Sequence, residues 1–462
     1  MTEMQHLTRD ELLGLIDDRP DDRVFRVNRR VFTDPAIFEL EMKHIFEGGW
    51  VFLGLASQLP RPHDYFTTSI GRQPILVTRD GAGEIRAFVN SCPHKGARIC
   101  QLGQGNAKIH VCPYHSWSFD SAGKNKAIKG KASGHYSEAF DRDSHDLSAL
   151  PRLGDYRGFL FGSLSADVPS LDDHLGEART LLDLIVDQSA EGLELVPGAV
   201  TFTYEANWKL QLENCSDQYH FSSVHPSYLK LLDHRAETQW MGATRNMWDP
   251  NRRRDEHGEA TGGSFNFANG HVLNWRMPDA PDALPLFESK DALTTRVGEA
   301  KRDWMFYSRN LTIFPNVQFA ENASSQLRII RPLSVNRTEM RTFCMAPIGE
   351  SAEARRVRIR QYEDFFNPSG LATPDDAVVY EACQEGYTSE AQPWLQGYSR
   401  GMCGGAKGGN AFSDAIDMAP EWSITGDRTL GDESIFHSYY RAWQQRLGDA
   451  LPAEARALEV AI

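Results

Sequence analysis

Two short clusters of cysteine and histidine lie close together in this chain. Residues 92–117 read CPHKGARICQLGQGNAKIHVCPYHSW, so that Cys92 and His94 form the first cluster and Cys112 and His115 form the second. Thiolates and imidazoles at such spacings are typical metal ligands. A structural zinc site is one interpretation, but zinc sites usually pair cysteine with cysteine and histidine with histidine along the chain. Here each cluster supplies one residue of each type.

The alternation of ligand types favours a Rieske [2Fe–2S] centre over zinc. In such a centre two cysteines hold one iron and two histidines hold the other, so each cluster would give one ligand to each iron. Pro93 and Pro113 beside the cysteines, with Tyr114 and Trp117 as aromatic cover, suit two rigid loops around a metal cluster. Cys100 lies between the two clusters but off their spacing, and we interpret it as a core or surface thiol.

A second group of ligand residues follows in 207–228, NWKLQLENCSDQYHFSSVHPSY. Asp217 and His220 are three residues apart, a spacing that places both on one face of a helix. Pro226 disfavours helical backbone at His225, so the helix is expected to end there and to let His225 turn towards His220. Two histidines and one carboxylate form the facial triad of non-haem iron(II) oxygenases. The alternative is a pair of polar surface histidines near a helix end.

Composition limits the class of protein. The 462 residues allow two or three domains. The 49 basic and 63 acidic residues give a net charge of −14, which argues against nucleic acid and against an anionic membrane surface as partners. The sequence predicts neither a signal peptide nor a transmembrane helix. Its seven scattered cysteines are an odd number and indicate a reducing, cytoplasmic location without a disulfide framework.

The elements that must position these residues are predicted to make an α+β protein. Residues 34–47 carry apolar residues at helical spacing behind Pro35, which predicts a helix. Short apolar runs bounded by Gly, Pro and Asp fill residues 50 to 165, and Asp80-Gly81 indicates a hairpin. Helices and strands mix from about residue 166 onward.

We therefore expect three parts in the chain. Residues 1–47 would be an N-terminal helical segment packing on the catalytic domain. A small all-β domain (48–165) would carry the Cys/His clusters, inserted near the N-terminus of a larger α+β catalytic domain (166–462) with an antiparallel sheet flanked by helices. The polar segment 248–263 is predicted to be a solvated loop, with a lid over a pocket as the alternative.

The order of the motifs resembles a known family. The Cys/His clusters are followed by N-W-K-x-x-x-E-N-x-x-D-x-Y-H-x-x-x-x-H and a late aspartate, which looks like the large (α) subunit of Rieske ring-hydroxylating oxygenases. The similarity extends over nearly the whole chain. The segments FELEMKHIFEGGW, YRGFLFGSL, NWKLQLEN and RQYEDFFNPSGLATPDD especially resemble the benzoate/toluate/anthranilate 1,2-dioxygenase branch.

The resemblance implies a carboxylate ligand that the local sequence does not single out. The family's late acidic pair corresponds here to Asp375-Asp376 in GLATPDDAVVYEA. Spacing alone does not choose between the two, while the family alignment favours Asp376 beside His220 and His225. Local sequence interprets the same residues as a helix start, with Thr373 as N-cap, Pro374 at the first position and both aspartates complementing the helix dipole.

Other site residues are also carried over from the family. The residue equivalent to Asp217 bridges a cluster histidine of one subunit and an iron-binding histidine of its neighbour, so Asp217 would link His115 to His220 of the adjacent chain as a catalytic residue. This implies an oligomer, α3 or α3β3 with a small β subunit. Asn214 and Cys215 fall where relatives line the pocket, and we assign both to substrate binding.

The resemblance implies an oxygenase component that hydroxylates an aromatic carboxylate with O₂, by cis-1,2-dihydroxylation of a benzoate-type ring. Electrons would come from NADH through a separate flavin/iron–sulfur reductase, with or without a ferredoxin, to the [2Fe–2S] cluster and then to the mononuclear Fe²⁺. This sequence contains no dinucleotide-binding fingerprint, which fits a separate reductase. The alternatives are a Rieske monooxygenase acting on a substituted aromatic acid, and a non-catalytic electron-transfer or metal-binding protein.

Some residues depart from the family pattern or leave a role open. Lys95 follows His94 where the family commonly has arginine, and Cys215 is unusual for the benzoate branch. A substrate carboxylate requires a cation or amide partner. Arg276 is a candidate, and an ion pair of Arg276 with Asp279 or Glu288 is the alternative.

Overall fold

The computed structural model describes residues 7–238, 261–426 and 431–452. The chain forms two compact units, one of residues 46–174 and the other of the residues up to 45 together with those from 175 onward. The division into 1–47, 48–165 and 166–462 made from the sequence stays a prediction. Most of the segment 248–263, predicted to be a loop or lid, lies outside the described residues.

Most helices of the described residues belong to the larger unit. In chain order they are α1 (Arg9–Leu13), α2 (Arg30–Thr33), α3 (Pro35–Glu41), α4 (Glu138–Arg142), α5 (Leu171–Leu175), α6 (Arg179–Val186), α7 (Trp208–Ser216), α8 (Phe221–Val224), α9 (Pro226–Thr238), α10 (Lys290–Val297), α11 (Glu299–Phe306), α12 (Ala352–Phe365), α13 (Thr373–Gly386), α14 (Ala411–Asp414) and α15 (His437–Ala450). No helix in the described part of the chain is long and apolar enough to cross a membrane.

The strands of the smaller unit span three to seven residues, and those of the larger unit span two to eleven. They are β1 (Ile16–Arg19), β2 (Val24–Asn28), β3 (Val51–Leu55), β4 (Asp64–Ile70), β5 (Gln73–Arg79), β6 (Ile85–Val89), β7 (Gln104–Asn106), β8 (Ile109–Val111), β9 (Ser118–Asp120), β10 (Asn125–Ala127), β11 (Arg152–Tyr156), β12 (Phe159–Ser163), β13 (Leu193–Leu195), β14 (Val200–Tyr204), β15 (Gly262–Asn266), β16 (Val272–Arg276), β17 (Ser308–Ile313), β18 (Val317–Glu321), β19 (Ser325–Ser334), β20 (Arg337–Pro347), β21 (Trp394–Leu395), β22 (Ala406–Lys407) and β23 (Trp422–Gly426).

The smaller unit consists of three antiparallel sheets with the orders β6-β5-β4-β7, β10-β9-β8 and β11-β12-β3. The predicted hairpin is confirmed, since β5 pairs with β6 and the Asp80 carboxylate between them accepts from the N–H groups of Ala82 and Glu84. The short helix α4 lies within residues 48–165 and is a departure from the all-β prediction for that range.

Two apolar cores support the sheets of the smaller unit. One joins β3, β4, β5 and β12 through residues such as Val51, Phe66 and Leu160. The other contains Cys92 and Cys112 themselves, packed with further buried side chains that include Leu76, Trp117 and Phe119. Because the two cysteines are part of a packed core, their loops are held by the same apolar burial that holds the sheets.

The larger unit is built on an antiparallel sheet in the order β13-β20-β19-β18-β17-β16-β15-β23-β22, with β14 also paired to β20. The predicted α+β class, with helices on an antiparallel sheet, is confirmed. Helix α7 lies against β16, β17, β18 and β19, and α13 lies against α7, α8 and β14. Helix α7, which leads to the predicted ligands His220 and His225, therefore lies against the centre of the sheet, and α13 packs on α7.

Helix α7 is buried on nearly every side. Asn207 caps it by accepting from the N–H of Lys209 at 3.1 Å. Its buried residues, some of which are polar, are Trp208, Lys209, Leu210, Gln211, Leu212, Cys215 and Ser216. A helix buried all round needs a partner for each polar side chain that it takes into the core.

Lys209 finds that partner in Glu41, at the end of α3. The Glu41 carboxylate accepts from Lys209 Nζ at 2.5 Å, from Trp208 Nε1 at 2.8 Å and from Trp443 Nε1 at 2.7 Å. The predicted helix behind Pro35 is confirmed as α3, followed by a π-helical turn at Met42–Phe46. One buried carboxylate thus joins α3, α7 and α15.

Candidate metal centres

The two Cys/His clusters form loops with the same backbone pattern. In each, the cysteine N–H donates to the carbonyl five residues on, and the N–H four residues on donates back to the cysteine carbonyl. The pairs are Cys92 with Ala97 and Gly96, at 2.9 and 2.8 Å, and Cys112 with Trp117 and Ser116, at 2.8 and 3.0 Å. Gly96 and Ser116 both have left-handed backbone, with φ of 74° and 61°. The turns bring each histidine back beside its cysteine.

The side chains of the two loops meet in pairs, histidine with histidine and cysteine with cysteine. Both thiols are buried, and the His94 and His115 rings lie 4.4 Å apart. The Nδ1 atoms of the two histidines are buried without a hydrogen-bond partner in the described part of the chain. Buried polar atoms are normally paired, so two orphaned imidazole nitrogens beside two thiols fit ligands of a metal cluster.

The surroundings of the loops agree in part with the sequence prediction. Trp117 is buried and stacks on the His94 ring with centroids 4.9 Å apart, as expected for aromatic cover. Tyr114 contacts the His115 ring, with centroids 3.8 Å apart, and is itself 63% exposed, so its part as cover stays a prediction. Cys100 is a core thiol, with its Sγ 3.1 Å from His110 Nδ1.

The Cys92 sulfur lies in a polar turn within an apolar core. Burial raises the pKa of its thiol, while the backbone N–H groups of His94 and Lys95 donate to the sulfur and act in the opposite direction. Backbone donors of this kind stabilise negative charge on sulfur. The backbone donors of the loop therefore partly offset the effect of burial at the sulfur.

Asp217 and His220 meet across a turn and not on a helical face. Helix α7 ends at Ser216, and Asp217 follows it with extended backbone. Its Oδ1 accepts from the N–H of Tyr219 at 2.5 Å, which closes a turn, and its Oδ2 lies 3.1 Å from His220 Nδ1. The helical-face prediction is wrong, but the contact that it implied is present.

His225 is placed as its neighbour Pro226 suggests. Helix α8 ends at Val224, His225 has non-helical backbone, and α9 begins at Pro226. The side chain of His225 is 2% exposed and its ring centroid lies 5.3 Å from that of His220. The predicted helix end at this residue is confirmed.

Asp376, near the start of α13, completes the group. Its Oδ1 lies 3.1 Å from His225 Nε2 and 3.5 Å from His220 Nε2, and the ligand atoms of the three residues lie within 4.8 Å of one another. Asp375 lies on the other side, with Oδ2 3.5 Å from His225 Nδ1 but without a hydrogen bond. The helix begins at Thr373 without a side-chain cap, so the prediction of Thr373 as N-cap is wrong.

Asn214 lies inside this group. Its Nδ2 donates to Asp376 Oδ1 at 3.0 Å and lies 3.2 Å from His220 Nε2. The amide hydrogens of Asn214 thus face the lone pairs of Asp376 Oδ1 and His220 Nε2. A cation bound by these two atoms would face the same lone pairs. Cys215 is buried in a different direction, in an apolar cluster with Tyr228 and Phe365.

The two acidic neighbours of His220 set its protonation in this structure. Burial acts to lower the pKa of His220, but the hydrogen bond with Asp217 and the charges of Asp217 and Asp376 outweigh it and raise the pKa. The imidazole is therefore held between two carboxylates, one at each ring nitrogen.

Comparison with known proteins identifies the two units. Residues 49–140 match the Rieske [2Fe–2S] domain family, and residues 191–417 match the catalytic domain of ring-hydroxylating alpha subunits. Toluate 1,2-dioxygenase subunit alpha of Pseudomonas putida is 43% identical, over 98% of each chain. The chain belongs to the Rieske ring-hydroxylating oxygenases, α subunit.

Two further relatives of this oxygenase have similar identity. The large subunit of 2-halobenzoate 1,2-dioxygenase from Burkholderia cepacia is 38% identical over 98% of this chain and 96% of its own. The large subunit of anthranilate 1,2-dioxygenase from Acinetobacter baylyi is 41% identical over 96% of this chain and 93% of its own. The predicted resemblance to this branch is confirmed.

Solved structures share the fold of the oxygenase. Naphthalene 1,2-dioxygenase from Rhodococcus sp. bound to indole superimposes with a TM-score of 0.80 at 24% identity, over 97% of this chain and 100% of that chain. A quaternary ammonium Rieske monooxygenase superimposes with a TM-score of 0.64 at 17% identity, over 96% and 99% of the chains. Since dioxygenases and monooxygenases share it, the fold does not choose between the two reactions.

The family settles the kind of cofactor. A Rieske oxygenase α subunit carries a [2Fe–2S] cluster and a mononuclear iron, and the zinc interpretation is set aside. The orphaned Nδ1 atoms of His94 and His115, and the convergence of His220, His225 and Asp376, fit these two groups.

Glu213 of the oxygenase lies in the segment NWKLQLEN, but the sequence alone gives it no role. Its carboxylate accepts from Tyr398 Oη at 2.9 Å and from Tyr440 Oη. Burial raises its pKa to about 7, the tyrosine donors oppose the shift, and the negative charges of Glu433 and Asp217 add to it. The signal was a charged residue inside an otherwise buried helix.

Proposed function

We propose that this chain is the α subunit of an oxygenase that adds both atoms of O₂ to a benzoate-type ring as a cis-1,2-dihydrodiol. The observation that carries the proposal is the shared substrate type of the relatives. Toluate, 2-halobenzoate and anthranilate are all benzoates with a ring substituent, and the three enzymes that act on them are 38–43% identical to this chain over at least 93% of their length.

The ligand assignment is part of the proposal. Cys92, His94, Cys112 and His115 hold the cluster, and His220, His225 and Asp376 hold the iron. When bound, the cluster supplies electrons one at a time and the iron supplies open positions for O₂ next to the ring. What supports the assignment is the pair of unpartnered Nδ1 atoms of His94 and His115 in the smaller unit and the convergence of His220, His225 and Asp376 in the larger unit.

Asp217 is proposed to position the two histidines through which electrons and protons move. In this chain its Oδ2 holds Nδ1 of His220, which leaves Nε2 towards Asp376. An acceptor at one ring nitrogen fixes the tautomer and makes the other nitrogen a better ligand. The same carboxylate would accept from His115 of a neighbouring subunit, which makes the active unit an α3 or α3β3 oligomer with a small β subunit.

Electrons are proposed to come from NADH through a flavin/iron–sulfur reductase, with or without a ferredoxin. The reaction balances as benzoate, O₂, NADH and one proton giving the cis-dihydrodiol carboxylate and NAD⁺. The cytoplasm is the proposed location, because all seven cysteines lie in the described part of the chain and form no disulfide.

A single turnover tests the proposal. The protein is prepared with its small subunit, both metal sites are filled, and the reduced enzyme is exposed to ¹⁸O₂ with a panel of benzoate, toluates, 2-halobenzoates and anthranilate. Mass spectrometry of the product counts the labelled oxygen atoms. We expect two labelled atoms on one ring.

Each other outcome contradicts a defined part of the proposal. One labelled atom in the product would assign the protein to the monooxygenases. No product from the whole panel, with a Rieske absorption spectrum and full iron content, would show that the substrate is not a benzoate.

A further inference from the structure

Arg328 stands out among the cations of the larger unit. It lies on β19, in the sequence SQLRIIRPLS, where most neighbouring residues are buried. A cation among apolar side chains near the middle of a sheet requires a counter-charge or hydrogen-bond acceptors, because burial of an unpaired charge is costly.

The partners of Arg328 inside the chain are neutral. Its Nε donates to Gln326 Oε1 at 2.5 Å, and its guanidinium carbon lies 5.4 Å from the centre of the Phe366 ring. The guanidinium also contacts the thiol of Cys215, whose pKa burial raises and the Arg328 charge lowers. None of the carboxylates in the described residues forms an ion pair with Arg328.

Arg328 lines the same cavity as the candidate iron ligand Asp376. The cavity is also lined by Gln211, Asn367 and Tyr380, among others. A guanidinium with free donors therefore faces the space beside the proposed metal site.

We propose that Arg328 binds the carboxylate of the aromatic substrate. The inference rests on the proposed function and adds the residue that recognises the acid. Hydroxylation at ring carbons 1 and 2 puts oxygen on the carbon that bears the carboxylate, so the carboxylate must bind beside the metal and not at the far end of a pocket. A planar guanidinium offers two parallel N–H groups that match the two oxygens of a carboxylate.

Arg276, the candidate suggested by the sequence, is arranged differently. Its Nη2 lies 3.9 Å from Asp279 Oδ2, and the side chain of Asp279 is 4% exposed. A guanidinium that already faces a buried carboxylate is less available to a second one. Arg276 therefore becomes the competing candidate that the experiment must separate from Arg328.

The test compares a charged substrate with a neutral one of the same shape. Benzoate and benzamide are titrated into the protein with both metal sites filled, under anaerobic conditions, by calorimetry, and their turnover is measured with O₂. For Arg328→Gln we expect the Kd and KM for benzoate to rise about 10- to 100-fold, since a hydrogen-bonded charge contributes about 1.5–3 kcal/mol. The values for benzamide should change by less than about twofold.

Three further variants accompany Arg328→Gln. Arg331→Gln removes a cation from the same strand that pairs with Glu339 at 3.3 Å, and we expect no change for either ligand. Arg276→Gln should also leave the ratio of benzoate to benzamide unchanged. Arg328→Lys keeps the charge without the planar fork, so its loss for benzoate should be smaller than that of Arg328→Gln and again absent for benzamide.

Iron and sulfide content is measured for every variant. If Arg328→Gln fails to fold or to hold iron, the proposal is tested by the comparison of benzoate with benzamide in Arg328→Lys. Equal losses for both ligands, or a selective loss of benzoate in Arg276→Gln, would overturn the proposal. Failure of wild-type protein to bind or hydroxylate any benzoate would instead overturn the proposed function.

Discussion

Adjacent carboxylates on a helix point in different directions, and at residues 375 and 376 this difference separates a ligand from its neighbour. Asp376 Oδ1 faces the Nε2 atoms of both histidines, whereas Asp375 Oδ2 faces Nδ1 of His225. An iron bound by the two Nε2 atoms would be reached by Asp376. Asp375 is on the opposite side of the His225 ring, where it can orient the imidazole.

We therefore expect Asp376→Asn to lose the mononuclear iron and Asp375→Asn to keep it. Removal of a direct ligand abolishes stable binding, while loss of a residue that supports a ligand costs about 10- to 100-fold in affinity or activity. Metal analysis together with the Rieske absorption spectrum distinguishes the two sites. The prediction fails if Asp375→Asn is the variant that loses iron while its cluster remains intact.

Glu213 gives a second prediction at the scale of residues, this time about stability and pH. Its pKa in the folded chain is raised to about 7, above the ordinary glutamate value of 4.5. Between these values the folded state holds a proton that the unfolded state has lost, so the free energy of unfolding falls as the pH rises through this window. Above it both states are ionised and the destabilisation is complete.

Glu213→Gln removes this titration. We expect the stability of wild type relative to the variant to fall between about pH 5 and about pH 8, with the metal sites loaded equally in both proteins. Urea unfolding at the two pH values measures it. Glu433, whose pKa is also raised to about 7, interacts with Glu213, so its titration broadens the pH window without reversing the direction of the effect. Parallel stability curves for the two proteins would contradict the prediction.

At the scale of elements, sequence predicted the helix of 34–47, the hairpin at Asp80-Gly81 and the helix end at His225, because each depends on proline, glycine or aspartate within a few residues. The sequence-based prediction failed for features that depend on tertiary packing. Helix α7 ends at Ser216 without a Gly or Pro at its end, and the turn closed by Asp217 brings His220 back to it. Nothing in the sequence singles out Arg328, because its cavity includes residues of α13 from a distant part of the chain.

The buried ion pair of Glu41 and Lys209 is the element contact with the largest expected effect. Its side chains are 0% and 4% exposed, and Glu41 also accepts from two tryptophans. Because removal of one partner leaves a buried charge unpaired, we expect Glu41→Ala to destabilise the larger unit by about 3–5 kcal/mol. Urea unfolding followed by tryptophan fluorescence measures this loss.

Two comparisons show whether the loss comes from the unpaired charge. The exposed pair of Glu353 and Arg356 serves as control, and Glu353→Ala should leave the unfolding midpoint unchanged. The double variant Glu41→Leu, Lys209→Met removes both charges and should be more stable than Glu41→Ala. A double variant no more stable than Glu41→Ala would show that the unpaired Lys209 charge is not the cause of the loss, since both variants lack the tryptophan hydrogen bonds.

At the scale of the whole molecule, the proposed role of Asp217 determines which subunits exchange electrons. If it connects the cluster of one subunit to the iron of the next, a subunit without a cluster can still use its iron, provided that its neighbour donates. Cys92→Ser removes a cluster ligand and His225→Ala removes an iron ligand. Each variant alone should be inactive, because every junction lacks one of the two centres.

Mixed oligomers of the two variants should recover activity. Co-expression with two different affinity tags, followed by purification on both, yields only mixed trimers. In a cyclic trimer of either composition, one junction in three joins an intact cluster to an intact iron site, so we expect about one third of the wild-type turnover. Cys92→Ser carrying both tags is the matched control and should stay inactive. Electron transfer within a single chain predicts no activity in the mixed trimers, because no chain in them has both centres.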